Sequence, residues 1–486
     1  MKQPLQPQTL GQLSSPAVPS ISPARAKSVP SAKAAQRILL SLMVPSMLMP
    51  LISSMSGVAM PVIREYFHME ADMVAWVTTA FTLPFMILMP VYGRLSDGLG
   101  KRRLIMAGIV IFSIGTAIAL LAPNLAWLMA GRVIQGIGVS GIMPLGMALI
   151  SSIFKAGERG RALGTWSSIG PFIAFLGPLF AGFLIARWGW RAAFTPVLLV
   201  GVIALIVVYY FVPAGLSNIK PRFLRTFDWL GAVLLTTFLT SLLFFLSSRP
   251  ITGVPPLQDW RLLGSTTLLL GTFFWWERRQ ADAFVDLSIF NNKLFSMASL
   301  TASTRMFIMA GMGFLMPLYL VDVYNFSPTY LGLMLMINPG AMALIVRFGG
   351  QIADRWGSRW PVLAGLLVQI SVMVLLAQLS ATSPIWILCL ILTYHGLGVG
   401  LMLAALHQAA MGNISEAEMG GAAGLYSMIR FCGMVIGTAL AGVLLQQALD
   451  QQLTSVAAYQ RVFIIFACIG ALGLLPAFRL KIEKNG

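Results

Sequence analysis

Gly93-Arg-Leu-Ser-Asp97-Gly-Leu-Gly100-Lys101-Arg102 and, 257 positions later, Gly350-Gln-Ile-Ala-Asp354-Arg355-Trp-Gly357-Ser-Arg359 are two copies of one pattern. Each sets a carboxylate between two glycines, ends on a basic residue and follows a long apolar run. Downstream, Gln135-Gly136-Ile-Gly138-Val139 is echoed by His395-Gly396-Leu-Gly398-Val399 at an offset of 260. At that same offset Glu158, Gly160, Gly164, Ser167, Gly177 and Gly182 match Glu418, Gly420, Gly424, Ser427, Gly437 and Gly442. Three blocks in one order and near-constant register describe a duplicated bundle whose similar halves pack and rock against each other.

What surrounds these blocks sets the solvent. The chain is 57% hydrophobic and 10% charged, with a mean hydropathy of +0.82. A soluble chain of 486 residues needs more charge to cover its surface. Apolar runs of bilayer-crossing length recur throughout. Only helices and closed barrels can span a membrane, and runs such as Leu104–Leu121 and Val362–Leu376 lack the alternation of a strand. The expected class is therefore an all-α polytopic membrane protein. A net charge of +17 invites a nucleic-acid reading, but the charge sits in short runs between apolar segments, where lipid headgroups and topology account for it, so no nucleic-acid partner is expected. Cys389, Cys432 and Cys468 lie within apolar segments without metal-like spacing and read as packing residues.

Fourteen spans are expected, the eighth (near 261–276) being short and bounded by Trp260 and Trp275–Trp276, residues suited to the interfacial level. They group as a Ser/Pro-rich disordered cytoplasmic tail (1–37), an N-terminal six-helix bundle (38–213), two additional helices linking the halves (214–292), a C-terminal six-helix bundle (293–480) and a short cytoplasmic tail (481–486). Of 33 Lys and Arg, only Arg64, Arg187, Arg191, Arg249, Arg261 and Arg461 would be external, and Arg132, Arg305, Arg347 and Arg430 fall within spans. The remaining 23 place both termini in the cytoplasm.

The loop of Gly93, Leu95, Asp97, Gly100, Lys101 and Arg102 resembles the signature Gly-x-Leu-x-Asp-x-x-Gly-Arg/Lys-Arg/Lys of the major facilitator superfamily. Arg132, Gln135, Gly136 and Gly138 resemble its Arg-x-x-Gln-Gly-x-Gly motif. Gly177-Pro178-Leu-Phe-Ala181-Gly182 is similar to the Gly-Pro-x-x-Gly-Gly motif of its exporters. The resemblance covers residues 38–480. The extra helix pair, which keeps Asp97 and Asp354 on one side, looks like the fourteen-span drug:proton antiporter branch. It implies an inner-membrane multidrug efflux protein working by alternating access, with protons as the candidate coupling ion, no cofactor, and a monomeric state.

Physically, Asp97 among Arg94, Lys101, Arg102 and Arg103 could hold a helix N-terminus and basic side chains in a conformational latch, with Asp354 and Arg355 as the second copy. Gly93 and Gly100 would permit a tight turn and close helix approach. Pro171 and Pro178 would bend the fifth span, and Gly177 and Gly182 would let it approach a neighbour. Charges inside the bilayer are costly without a partner or a function. Arg305, Arg430 and His395 fall near the midplane and Arg132 nearer the outside; the family resemblance turns Arg132, Gln135, Arg305, Tyr394 and His395 toward a central cavity.

One departure from the branch matters. Its members usually carry an acid midway along the first span, where this chain has Ile52 in Leu51-Ile52-Ser53-Ser54-Met55-Ser56-Gly57-Val58-Ala59-Met60-Pro61. None of the 16 acids is expected mid-membrane. A cavity with arginine and histidine but no carboxylate favours an anionic or neutral amphiphile over an organic cation, and leaves His395 as a candidate proton carrier. An uncoupled facilitator or importer of the same fold, and a non-transporting receptor, are the alternatives. No nucleophile–His–acid set, metal-ligand cluster or phosphate loop points to an enzyme.

Overall fold

A computed structural model describes residues 31–154, 156–213, 227–255, 257–280, 283–285, 287–412, 414 and 419–480. All regular structure among them is helical. Thirteen helices are long and apolar enough to cross a bilayer. In the first half these are α1 (Ala32–Tyr66), α2 (Ala71–Gly93, helical on to Leu99), α3 (Lys101–Leu120), α4 (Leu125–Ile153), α5 (Arg161–Trp188) and α6 (Trp190–Phe211). After α7 (Trp229–Ser247) comes α8 (Trp260–Glu277), which is less apolar than the thirteen because Arg261 and Glu277 cap a Gly/Ser/Thr-interrupted core. The second half holds α9 (Lys293–Asp322), α10 (Pro328–Val346, helical on to Trp356), α11 (Arg359–Leu376), α12 (Ile385–Met411), α13 (Gly421–Asp450) and α14 (Ser455–Phe478).

Packing repeats the sequence duplication. In the first half α4 packs on α2 and α3, α5 on α1, and α6 on α1 and α3. In the second half α12 packs on α10 and α11, α13 on α9, and α14 on α9 and α11. The halves meet through α2 with α13, α5 with α10, and α1 with α9. The α7–α8 hairpin joins through α7, which touches α2 and α13. Ser241 Oγ ties the hairpin internally, 3.0 Å from Ser265 Oγ and 2.9 Å from Thr266 Oγ1.

Small residues make these contacts possible. A Cβ on Gly108 would sit 2.5 Å from the Gly138 carbonyl oxygen, and one on Gly365 would sit 2.5 Å from that of Gly398. Both members of this pair of contacts are related by the repeat. Between halves, a Cβ on Gly182 would meet the Pro328 carbonyl oxygen at 2.5 Å, and one on Gly442 would meet Ala75 Cβ at 2.5 Å. Large apolar side chains such as Leu121, Leu268 and Leu344 cover the outer surface, as lipid-facing positions require.

Two boundaries and one glycine differ from expectation. The tail was placed at 1–37, but α1 already begins at Ala32 because Ser31 caps it, its Oγ accepting from Ala34 N at 3.4 Å; residues 1–30 lie outside the described ones, as do 214–226 and 481–486. Second, Asp97 and Asp354 lie past the spans that end at Gly93 and Val346, but on helix and not in loops. Helix continues to Leu99 and to Trp356 and stops only at Gly100 (φ 87°) and Gly357 (φ 80°), left-handed positions that glycine occupies without strain. Third, a Cβ on Gly93 would meet nothing within 4 Å, so that glycine does not serve a close approach here.

Candidate functional site

The two halves carry one deeply buried arginine cluster each, and the clusters differ. In the first half, Arg132 on α4 is 2% exposed. Its Nε donates to the Val77 carbonyl at 3.2 Å, and its Nη1 to Ser56 Oγ at 3.1 Å and Gln135 Oε1 at 3.2 Å. Gln135 Nε2 donates onward to Thr116 Oγ1 at 3.0 Å. The guanidinium also lies over the Phe81 ring, 4.7 Å from its centroid. Arg132 thus stitches α1, α2 and α4, and Gln135 adds α3. A buried charge held by three hydrogen bonds and an aromatic face has the character of a scaffold element.

The second half reverses this. Arg305 on α9 is also 2% exposed, yet its guanidinium reaches only Met309 Sδ, at 3.8 Å, and its Nε has no partner. Arg430 and Tyr426 on α13 lie within electrostatic reach of it. Arg430 Nη1 sits 3.0 Å from His407 Nε2, its own Nε is unpartnered, and its Cζ lies 4.7 Å from the Phe431 ring centroid. Phe431 in turn meets Phe85 of the first half edge-on at 5.0 Å. The ion pairs among the described residues are Arg64 with Asp322, and Arg249 with Glu70, Asp72 and Asp450. Neither Arg305 nor Arg430 has a carboxylate partner among them. Two cations, a histidine and aromatic rings stand together here without a counter-ion among the described residues, a chemistry that an anion would complement.

His395 is fully buried inside the second bundle, with Nδ1 2.6 Å from Asn338 Nδ2 and Nε2 3.5 Å from Gln369 Nε2. Gln369 also faces the Arg305 backbone carbonyl at 3.5 Å. Gln135 and His395 are repeat mates, and each bonds a polar residue on the span before it. Tyr394 is 41% exposed and its hydroxyl lies 3.4 Å from Ser371 Oγ on α11. Reading one sequence for charge missed Ser56, Thr116, Asn338, Gln369 and Tyr426. Asn338 and Gln369 carried a usable signal, since each is an amide within an apolar span.

The signature-loop residues are placed as follows. Arg102 Nη2 donates to the Tyr209 carbonyl at 2.6 Å and lies over that ring, capping the end of α6. Its repeat mate Arg359 lies over the Phe478 ring at the end of α14, at 5.9 Å. Arg355 is exposed. The side chains of Asp97, Asp354 and Arg347 lie outside the described residues. Pro171 lies in the first turn of α5 after a break at Ser168, while Pro178 and Gly177 are buried, Gly177 against Ser54 of α1.

The opposite end of the molecule holds the halves together. Arg64 Nη1 pairs with Asp322 Oδ2 at 2.7 Å, and Tyr459 Oη donates to that same oxygen at 2.6 Å. Ala71 N donates to Gln446 Oε1 at 2.9 Å. These two links, α1 to α9 and α2 to α13, are the direct hydrogen bonds between halves among the described residues, and both lie away from Asp97 and Asp354.

Two repeated six-helix bundles with a polar tie at one end and an unpaired cationic site inside define a polytopic membrane carrier of small molecules. The chain belongs to the Major Facilitator Superfamily, whose family model matches residues 42–429 and, in a second match, 294–485. It is 29% identical over 391 residues to the Multidrug resistance protein Stp of Mycobacterium tuberculosis, covering 80% of this chain and 72% of that one. It is 26% identical over 444 residues to the Riboflavin transporter RibZ of Clostridioides difficile, covering 89% and 95%. A human organic anion transporter, MFSD10, shares the fold at a TM-score of 0.61 and 16% identity, over 92% of this chain and 99% of that one. The chain is a multi-pass membrane transporter, not an enzyme.

Proposed function

We propose that this chain exports small anionic or neutral amphiphiles by alternating access, with Arg305 and Arg430 as the receptor for the substrate's negative group. The observation that carries the reading is Arg305, buried at 2% exposure with a thioether sulfur as its one hydrogen-bonding contact. A buried cation left this bare costs several kcal/mol unless a ligand completes it. Export is supported by the relatives named for resistance, among them the Tetracenomycin C resistance and export protein of Streptomyces glaucescens, 26% identical over 407 residues. Ile52, buried where the resembling branch carries an acid, argues against a cationic drug.

In this reading both termini are cytoplasmic, the protein acts as a monomer in the inner membrane, and Arg132 and Gln135 support the site from behind. The domain division at 38–213, 214–292 and 293–480 belongs to the same proposal. Asp97 and Asp354, with Lys101, Arg102 and Arg355, would latch the opposite conformation, in which the tie between Arg64 and Asp322 is broken. The test is transport in proteoliposomes under an imposed pH gradient, with cationic, neutral and anionic amphiphiles of similar size. Gradient-driven movement of anions, lost in Arg305→Ala, supports the reading. Cation movement at comparable rates, or full anion transport by Arg305→Ala, would overturn it.

A further inference from the structure

The α7–α8 hairpin has no counterpart in the repeat, yet it contributes a cation to the closed end. Just after α7, a single helical turn (Arg249–Thr252) reverses at Gly253, whose φ of 71° is left-handed. Trp76 Nε1 of α2 donates to the Ser247 carbonyl at 2.7 Å and pins this turn against the first half. Arg249 then reaches both halves. Its Nη1 lies 2.7 Å from Asp450 Oδ2 on α13 and 3.7 Å from Asp72 Oδ2 on α2, and its Nη2 lies 3.7 Å from Glu70 Oε2. Gln446 joins the same knot, accepting from Ala71 N at 2.9 Å and donating to Asp450 Oδ1 at 3.0 Å.

The groups are unequal. The Glu70 side chain is 60% exposed and that of Asp450 41%, whereas that of Asp72 is 1% exposed. One Asp72 oxygen accepts from Met73 N at 2.8 Å, and the other, Oδ2, is buried with no hydrogen-bond partner. The charged groups facing Asp72 are Arg249 from the hairpin turn, Glu70 from its own helix start and Asp450 from α13. One guanidinium therefore serves three carboxylates and is bonded best to the most distant in sequence. A proton on Asp72 Oδ2 would remove a poorly compensated buried charge and two like-charge repulsions at once.

We propose that Asp72 is a proton-binding site that operates the closed end of the transporter, with Arg249 of the inserted hairpin as the clamp it releases. The proton comes from the water at that end and adds to Oδ2. No covalent bond breaks, and the carboxylate becomes a neutral acid that no longer attracts Arg249. The grip between α2 and α13 through Arg249 then weakens. The extra helix pair thus acts as an arm carrying the clamp. The proposal rests on the alternating-access reading alone and is independent of substrate charge.

The test uses the full chain in nanodiscs without substrate. Spin labels replace Trp188 on α5 and Tyr330 on α10, both exposed, after the three native cysteines are changed to Ser. Electron–electron distances are read at neutral pH and at about pH 5, a range set to bracket a perturbed carboxylate. A single short distance at neutral pH and a longer population in acid are expected. Asp72→Asn keeps the bond from Met73 N and should show the longer population at both pH values, as should Arg249→Met. Asp322→Asn should keep its response to pH. Acid-insensitive distances in the parent, or an unchanged pH response in Asp72→Asn with thermal stability intact, would overturn the proposal. Loss of anion transport with these distance changes preserved would count against the substrate reading alone.

Discussion

Replacing Arg132 and Arg305 separately with Met compares a tied arginine with a bare one. Met keeps the length and removes the charge. For Arg132 the loss is three hydrogen bonds, to the Val77 carbonyl, Ser56 and Gln135, at 3.1–3.2 Å. Intramembrane hydrogen bonds average about 0.6 kcal/mol and reach about 1.7. Three bonds with their stranded acceptors therefore come to about 2–5 kcal/mol, or a fall of about 4–10 °C in apparent Tm at the slope of a large domain. For Arg305 nothing of that kind is lost, since its contact is a sulfur at 3.8 Å and its Nε is unpartnered. Swapping a buried, uncompensated charge for a thioether is neutral or stabilising by about 1–4 kcal/mol. Transport should move the other way. Losing one charge-assisted bond to an anion, about 1.5–3 kcal/mol, weakens binding by roughly 10–150-fold. The assay is paired: thermal unfolding by intrinsic fluorescence in detergent, and anion uptake into proteoliposomes. An Arg305→Met protein that melts as early as Arg132→Met would refute the reasoning, because it would make Arg305 a scaffold residue as well.

Two further outcomes follow from packing. Gly442→Val adds a branched side chain where even a Cβ lies 2.5 Å from Ala75 Cβ and 2.9 Å from the Ala71 carbonyl oxygen. It should cost about 1–3 kcal/mol and raise thiol-reagent access to the tied end, whereas Gly57→Ala, with nothing within 4 Å, should be neutral or slightly stabilising. Tyr394→Phe removes a hydroxyl whose one contact is Ser371 at 3.4 Å, so anion KM in proteoliposomes should stay within about twofold, as for surface changes worth less than about 0.5 kcal/mol; a tenfold rise would return Tyr394 to the site.

The fold was legible because its two strongest determinants are local. Apolar length gives spans, and glycine at fixed register gives the repeat, so the Gly108–Gly138 and Gly365–Gly398 contacts repeat a register already visible in the chain. Arg305 and Arg430 were also legible, since a charge in an apolar run needs no neighbour to be noticed. What sequence could not provide was the direction a side chain faces around its helix. His395 was expected toward a cavity and instead meets Asn338 and Gln369 within its own bundle. Arg132 was expected toward a cavity, and its hydrogen bonds tie three helices, α1, α2 and α4. Arg102 was read from sequence as part of a basic loop, and its bond to the Tyr209 carbonyl at the end of α6 was not legible there. Least legible of all was Arg249, read as one of six external charges, because its partners lie 177 and 179 positions before it, at the start of α2, and 201 positions after it, on α13.

Comparing the halves shows how a duplicated carrier can become selective. Contacts that must move together are paired across the repeat: Gly182 on Pro328 with Gly442 on Ala75, and Arg102 at the end of α6 with Arg359 at the end of α14. Rocking in the proposed alternating-access cycle would require this likeness, since each bundle would be the other's bearing. The polar interior is where likeness ends. Arg132 has Leu392 as its repeat mate, so the second half lacks that cation, and Arg430 corresponds to Gly170, so the first half lacks the proposed receptor cation. A bare arginine is tolerable only on one side of such a pair. Two would double the burial cost, and in the proposed reading the well-bonded Arg132 lets the first half offset the second, where Arg305 would await its anion.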